Sequence, residues 1–166
     1  YRATPAPMPL LSLVEGRLVA IDATTGHLRW ERPVREPLDR VLVAGGNVFL
    51  ATARDPAGHV ALFDLATGSE RGGIDLTFRA AAALATADRV YLSGHHGLVC
   101  LTHEGALVFR AGREITRKSA WSGDTIDLVG MDAQDRELWR IADAKAHTTT
   151  SFLALGHLIA QIDSDS

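Results

Sequence analysis

The chain has a single cysteine, Cys100, so no internal disulfide can form and no zinc site built from several thiolates is possible. The pair of cysteines needed to attach a haem is missing for the same reason. No apolar run approaches the length of a membrane span; the longest uncharged stretches, such as Ala80–Ala87, are far too short. No excess of one charge is present either. The formal net charge is −3, and the seventeen lysines and arginines are scattered, so neither a nucleic-acid footprint nor an acidic tail is expected. The N-terminus lacks a basic segment followed by an apolar one, so no signal peptide is read there. The chain opens on Tyr1 rather than Met, and we expect a processed or excised piece of something longer. Long amphipathic helical windows with caps are also wanting; Arg79–Ala87 is alanine-rich and has helical propensity, yet it occupies a strand slot in the repeat described next.

What is present is a core-forming composition, 46% hydrophobic over 166 residues, and an internal repeat. The clearest copy runs Leu18-Val19-Ala20-Ile21-Asp22-Ala23-Thr24-Thr25-Gly26-His27-Leu28-Arg29-Trp30, which reads as strand, tight turn, strand. A second copy, Val60 to Arg71, repeats the Asp-x-x-Thr-Gly spacing at Asp64, Thr67 and Gly68. A third has Thr102 in the aspartate slot, Gly105 in the turn and Phe109 in the tryptophan slot; a fourth has Asp132, Asp135 where glycine would turn, and Trp139. The second copy places Gly72 in the tryptophan slot, where it can fill nothing. Successive copies start 42, 38 and 30 residues apart (22 to 64, 64 to 102, 102 to 132). Periods near 40 suit propeller blades or helix pairs. Short β-branched and aromatic runs bounded by Gly, Asn and Asp, such as Arg40–Ala44, Asn47–Thr52 and Asp88–Ser93, decide for strands.

The turn has a mechanism. An aspartate carboxylate accepts backbone N–H groups two residues on, and glycine supplies the positive φ that closes a short hairpin. Asp22, Thr25, Gly26, Asp64, Thr67 and Gly68 are therefore read as turn chemistry rather than as metal or catalytic residues. Trp30 and Trp139 are expected to fill the space between neighbouring sheets.

Ala20-x-Asp22-x-x-Thr25-Gly26-x-x-x-Trp30 resembles the tryptophan-docking repeat of the PQQ-like, quinoprotein-type β-propellers. The resemblance covers about Leu10 to Asp163 and implies an all-β fold of about four blades of four-stranded antiparallel sheet. Residues 1–9, with Pro5, Pro7 and Pro9, are read as an extended arm or linker. The repeats are placed over 10–166, with copies near 10–37, 40–76, 79–111 and 114–142 and a partial copy at 148–163. In the fourth copy the stretch from Ile115 to Gly123 has to cover two strand slots. An arc of a seven- or eight-bladed ring is expected over a closed four-bladed one.

The family includes PQQ-dependent dehydrogenases, an outer-membrane assembly lipoprotein and propellers attached to bacterial kinases. For the dehydrogenases the resemblance implies an axial quinone, a disulfide between adjacent cysteines and a calcium-binding Glu/Asn/Asp set. One cysteine and too few blades argue against that activity. No catalytic, cofactor-binding or metal residue is assigned, and no cofactor is expected. The histidines His95, His96 and His103 are read as loop residues: neighbours on a strand face opposite ways and share an ion poorly. Ser119-Ala120-Trp121-Ser122-Gly123 lacks a nucleophile elbow, Asp163-Ser164-Asp165 is expected to fray, and Cys100 to be a buried strand thiol.

The expected function is a non-enzymatic binding or scaffold module with a protein partner, without nucleic acid or a membrane span. A sensor propeller of a signalling protein and a dehydrogenase fragment are the alternatives. Self-association through open strand edges is a further expectation. The resemblance favours a periplasmic or other extracytoplasmic location and leaves the cytoplasm open.

Overall fold

The computed structural model describes residues 8–34, 37–54, 57–95, 97–117, 125–144, 150–155 and 158–163. Among them there is no helix, and so none long and apolar enough to cross a membrane. Fifteen strands follow in order: β1 (Leu10–Val14), β2 (Arg17–Ile21), β3 (Leu28–Pro33), β4 (Leu38–Ala44), β5 (Asn47–Arg54), β6 (Ala57–Asp64), β7 (Glu70–Leu76), β8 (Ala82–Ala85), β9 (Arg89–Gly94), β10 (Gly97–Thr102), β11 (Leu107–Arg117), β12 (Thr125–Asp132), β13 (Glu137–Ala144), β14 (Thr150–Leu155) and β15 (Leu158–Asp163). All ladders are antiparallel meanders: β1-β2-β3, β4-β5-β6-β7, the six strands β8 to β13, and the hairpin β14-β15. The second sheet is a complete four-stranded blade, the unit from which propellers are built.

A blade in the middle of a stack is covered on both faces, so its strands carry apolar residues at successive positions rather than at alternate ones. β5 shows this. Val48 and Leu50 join Leu18, Ala20 and Trp30 of the first sheet in one buried cluster. Phe49 and Ala51 point the other way and pack, with Val60 and Leu62, against Val90, Leu92, Val99 and Leu101 of the third sheet. The far face of the third sheet gathers Tyr91, Leu98, Cys100, Ala111 and Leu128, with Phe109 and Trp139 against them.

The alanine-rich stretch is a strand, β8, paired with β9 from Ala82↔Ser93 to Ala85↔Val90. Tertiary pairing overrides helical propensity there, since the segment supplies the inner strand that β9 would otherwise lack.

The fourth copy departs from a separate four-stranded blade. Ile115 lies inside β11, which runs on to Arg117 and pairs with β12 from Phe109↔Asp132 to Arg117↔Thr125. The hairpin β12-β13 therefore extends the third sheet to six strands. The physical reason is an edge. β11 ends the third copy with a row of unpaired backbone groups, and among the described residues no other strand of the fourth copy precedes β12 to pair with it. Residues 118–124 and the prolines Pro5 and Pro7 lie outside the described residues.

Candidate functional site

The turns behave as their chemistry dictates. Asp22 Oδ1 accepts the backbone N–H groups of Thr24 and Thr25 at 2.9 and 3.0 Å, and Asp64 Oδ1 those of Ala66 and Thr67 at 3.0 and 2.8 Å. Asp132 Oδ1 accepts from Gln134 at 2.9 Å. In the degraded third copy the Thr102 hydroxyl takes over, accepting from Glu104 and Ala106, both at 3.2 Å. Where the fourth copy lacks glycine, Asp135 itself adopts the left-handed conformation, with φ of 61°. The residue type is apt, because aspartate tolerates that region better than most.

Each of the two best-matched turns also carries an arginine that the sequence reading passed over. Arg29 Nη2 lies 2.5 Å from Asp22 Oδ2, and Arg71 pairs with Asp64 in the same way. Both arginines stand seven residues after their aspartate, so the signal was in the spacing. The Arg29 hydrogen bond and the two backbone N–H donors hold the Asp22 carboxyl well below the usual carboxylate range. Asp64 is lowered too, chiefly by its bonds from Thr67.

The tryptophan slot is a docking joint. Trp30 is 7% exposed, and its Nε1–H donates to the Leu65 carbonyl of the second sheet's turn at 2.9 Å. Its ring lies over Gly68, where a Cβ would come within 2.6 Å of the indole. Gly68 thus serves twice, once for its φ of +66° and once for lying flat beneath a ring. Every copy pairs its slot residue with a cross-strand neighbour just before a bulge: Ala20↔Trp30, Leu62↔Gly72, Cys100↔Phe109 and Gly130↔Trp139. Size is exchanged across these pairs. A large slot residue faces a small partner, and Gly72 faces Leu62. In the fourth copy any side chain at Gly130 would run into the Trp139 ring.

The consequence lies between the second and third sheets. β7 carries Gly72 and Gly73 where β3 carries Trp30 and Glu31, so no slot indole fills the space beside it. Two openings lie there, and Ile74 lines both. The larger, about 440 Å³, is floored by Leu76, Phe78, Leu107, Val129 and Met131 and walled by Asp75, Arg110, Arg113, Glu114 and Arg140. Arg140 is fully engaged, with Glu114, Asp127 and Glu137 at 2.9, 2.8 and 2.7 Å, and these carboxylates raise its affinity for its proton further. Arg110 pairs with Asp135. Arg113 differs: its Nη2 is buried and has no hydrogen-bond partner. A buried guanidinium nitrogen left this way is costly. The smaller opening, about 290 Å³, is lined by Phe49, Val60, Leu62, Leu101 and Gly105 with Arg71 and Glu104 at its mouth.

The histidines do not converge. His95 is exposed, and His96 lies outside the described residues. His103 is a loop histidine, in the turn between β10 and β11, but a half-buried one: its ring packs on Gly45 and its Nε2 lies 3.1 Å from the Thr86 carbonyl, so it fills the joint between two sheets. Among the described residues no three His, Cys, Asp or Glu side chains group as a metal site would require. Cys100 is a buried free thiol, and burial raises its pKa. The segment 119–123, Ser164 and Asp165 lie outside the described residues.

Comparison with known proteins agrees with this architecture. A family model described as outer membrane protein assembly factor BamB matches residues 10–158. Among solved structures, a europium-containing methanol dehydrogenase is similar at 16% identity and a TM-score of 0.51, over 67% of this chain and 24% of that one. Kuenenia stuttgartiensis hydrazine synthase is similar at 12% identity and a TM-score of 0.50, over 98% of this chain and 64% of that one. The chain thus spans about a quarter of the first and just under two thirds of the second, and at such identities the likeness concerns the fold alone. None of the curated proteins matches the chain. The turn, the docked indole, the stacked antiparallel blades and the match over residues 10–158 together place this chain in the PQQ-repeat β-propeller family.

Proposed function

We propose that this chain is a non-catalytic propeller module that binds a protein partner in the cleft between its second and third sheets. The observation that carries the reading is Arg113, a half-buried cation whose Nη2 is buried and unmatched, in the wall of a 440 Å³ opening with an apolar floor. Such a site suits an apolar side chain beside a backbone carbonyl or carboxylate of a docked segment. The family description, an assembly factor, supports a partner that is itself a protein.

The enzymatic alternative fits the residues less well. A quinone site of the dehydrogenase kind is implied to need adjacent cysteines, and the one thiol, Cys100, is 1% exposed within β10. Six carboxylates are engaged in turns and arginine pairs: Asp22, Asp64 and Asp132 hold loops, while Glu114, Asp127 and Glu137 surround Arg140. The test is to capture partners with the protein and repeat the capture with Arg113→Ala. Loss of one specific polypeptide, with the variant folded, is the expected result. Retention of every partner would overturn the site, and quinone-dependent dye reduction by the protein with PQQ and calcium would overturn the non-catalytic reading.

A further inference from the structure

The smaller opening occupies the slot that Trp30 fills one sheet earlier, and the register makes the correspondence residue by residue. Gly72 stands opposite Leu62 as Trp30 stands opposite Ala20. Val60, Leu62 and Leu101 line the opening where Leu18, Ala20 and Phe63 pack with the indole. Gly105, with φ of +85°, takes the place of Gly68. Leu62 reaches across and covers Gly105, where a Cβ would meet its Cδ2 at 2.7 Å. A leucine is smaller than an indole, and about 290 Å³ remains, close to the ~300 Å³ at which small-ligand pockets begin. The floor is buried at Phe49, Val60, Leu62 and Leu101, while Arg71, Gly72, Glu104 and Ala106 at the mouth are exposed. Nothing lies within 4 Å of a Cβ built on Gly72, so the approach is open.

We infer that this vacant docking slot accepts an aromatic side chain, of tryptophan or phenylalanine, presented by a partner polypeptide. The inference rests on the protein-binding reading above and names the chemistry of one contact. Shape argues for a flat ring, because Val60 and Leu101 flank the opening as Leu18 and Phe63 flank the indole, while Leu62 over Gly105 narrows it. The carbonyl corresponding to that of Leu65 belongs to His103, and it already accepts Asn47 Nδ2 at 2.8 Å. An indole N–H would have to share that carbonyl with Asn47, so apolar contact with Val60, Leu62 and Leu101 is the main source of selection. Charge argues for a side chain on a peptide rather than a free aromatic acid. Arg71 is paired with Asp64 and Glu104 is a carboxylate, so the mouth offers no spare cation to a ligand carboxylate.

The experiment is a methyl NMR titration of the 166-residue chain with N-acetyl-tryptophanamide, N-acetyl-leucinamide and indole-3-acetate. Saturable shifts are expected at Val60, Leu62, Ile74 and Leu101 with the tryptophanamide, with a Kd on the order of millimolar. Plugging the mouth with Ala106→Trp should weaken binding by at least about tenfold; Ala106→Phe serves if the first variant does not fold. Shifts spread equally over Val48 and Leu128, equal binding of the leucinamide, or equal binding by the plugged chain would overturn the slot. Tighter binding of indole-3-acetate would overturn the peptide as its source. A saturable titration without any captured partner would leave the slot standing and count against the protein-binding reading instead.

Discussion

Replacing Trp30 by alanine probes the joint on which the stacked architecture depends. The side chain is 93% buried, by its 7% exposure, and its Nε1–H is matched by the Leu65 carbonyl. A buried tryptophan removes roughly 200 Å² from water, which at about 25 cal/mol/Å² is worth ~5 kcal/mol. The unfolded chain already hides part of that area, and the cavity left behind adds a penalty of its own. The expected loss is about 3–5 kcal/mol, within the usual range for Trp→Ala in a core. At roughly 2–4 °C per kcal/mol for a domain of this size, the melting temperature should fall by about 6–20 °C. Chemical unfolding followed by circular dichroism reads the first quantity and calorimetry the second. Trp30→Phe should lose less, keeping most of the apolar contact while giving up a hydrogen bond worth ~1 kcal/mol. A loss below about 1 kcal/mol for Trp30→Ala would refute the docking of the first sheet on the second, since no buried joint could then depend on that ring.

Other outcomes follow from the same geometry. Gly26 and Gly68 share a positive φ, but only Gly68 lies under an indole; Gly26→Ala should cost about 1 kcal/mol of backbone strain, and Gly68→Ala at least about 1 kcal/mol more, measured by urea unfolding. Cys100 should react with a thiol reagent only when the chain unfolds, because the thiol is buried in β10 and its pKa is raised. Asp22 and Asp64 have lowered pKa values when folded, so their bonds contribute stability above the ordinary carboxylate value of 3.8 that is lost as pH falls below it. Unfolding midpoints should accordingly drop below about pH 4, and the double variant Asp22→Asn, Asp64→Asn should flatten that acid limb.

The turns were legible because their chemistry is local. An aspartate, two following N–H groups and a glycine lie within five residues, and even the substitutes Thr102 and Asp135 do the expected work. The slot was legible as a position, and Gly72 stood out in it as the residue that fills nothing. What could not be read was the response: Leu62, ten residues earlier, supplies bulk from the opposite strand, and only the register shows that the two face each other. The sharing of one sheet by the third and fourth copies was hidden for a similar reason. Which edge β12 joins depends on which backbone groups are left unpaired in space, and composition does not record that. The larger cleft brings Leu76 beside Val129, residues far apart in the chain, and the state of Arg113 depends on neighbours that no local motif specifies. By contrast, Arg29 and Arg71 recur at one spacing and a closer reading of the two best copies would have found them.

Hydrogen exchange on the partner complex tests the central claim most directly. Binding in the cleft should slow exchange in Glu70–Leu76 of β7 and in the stretch 107–114 of β11, with little change in the Thr24–Leu28 hairpin of the first sheet, which lines neither opening. Protection confined to that hairpin, with β7 and β11 unchanged, would contradict the account.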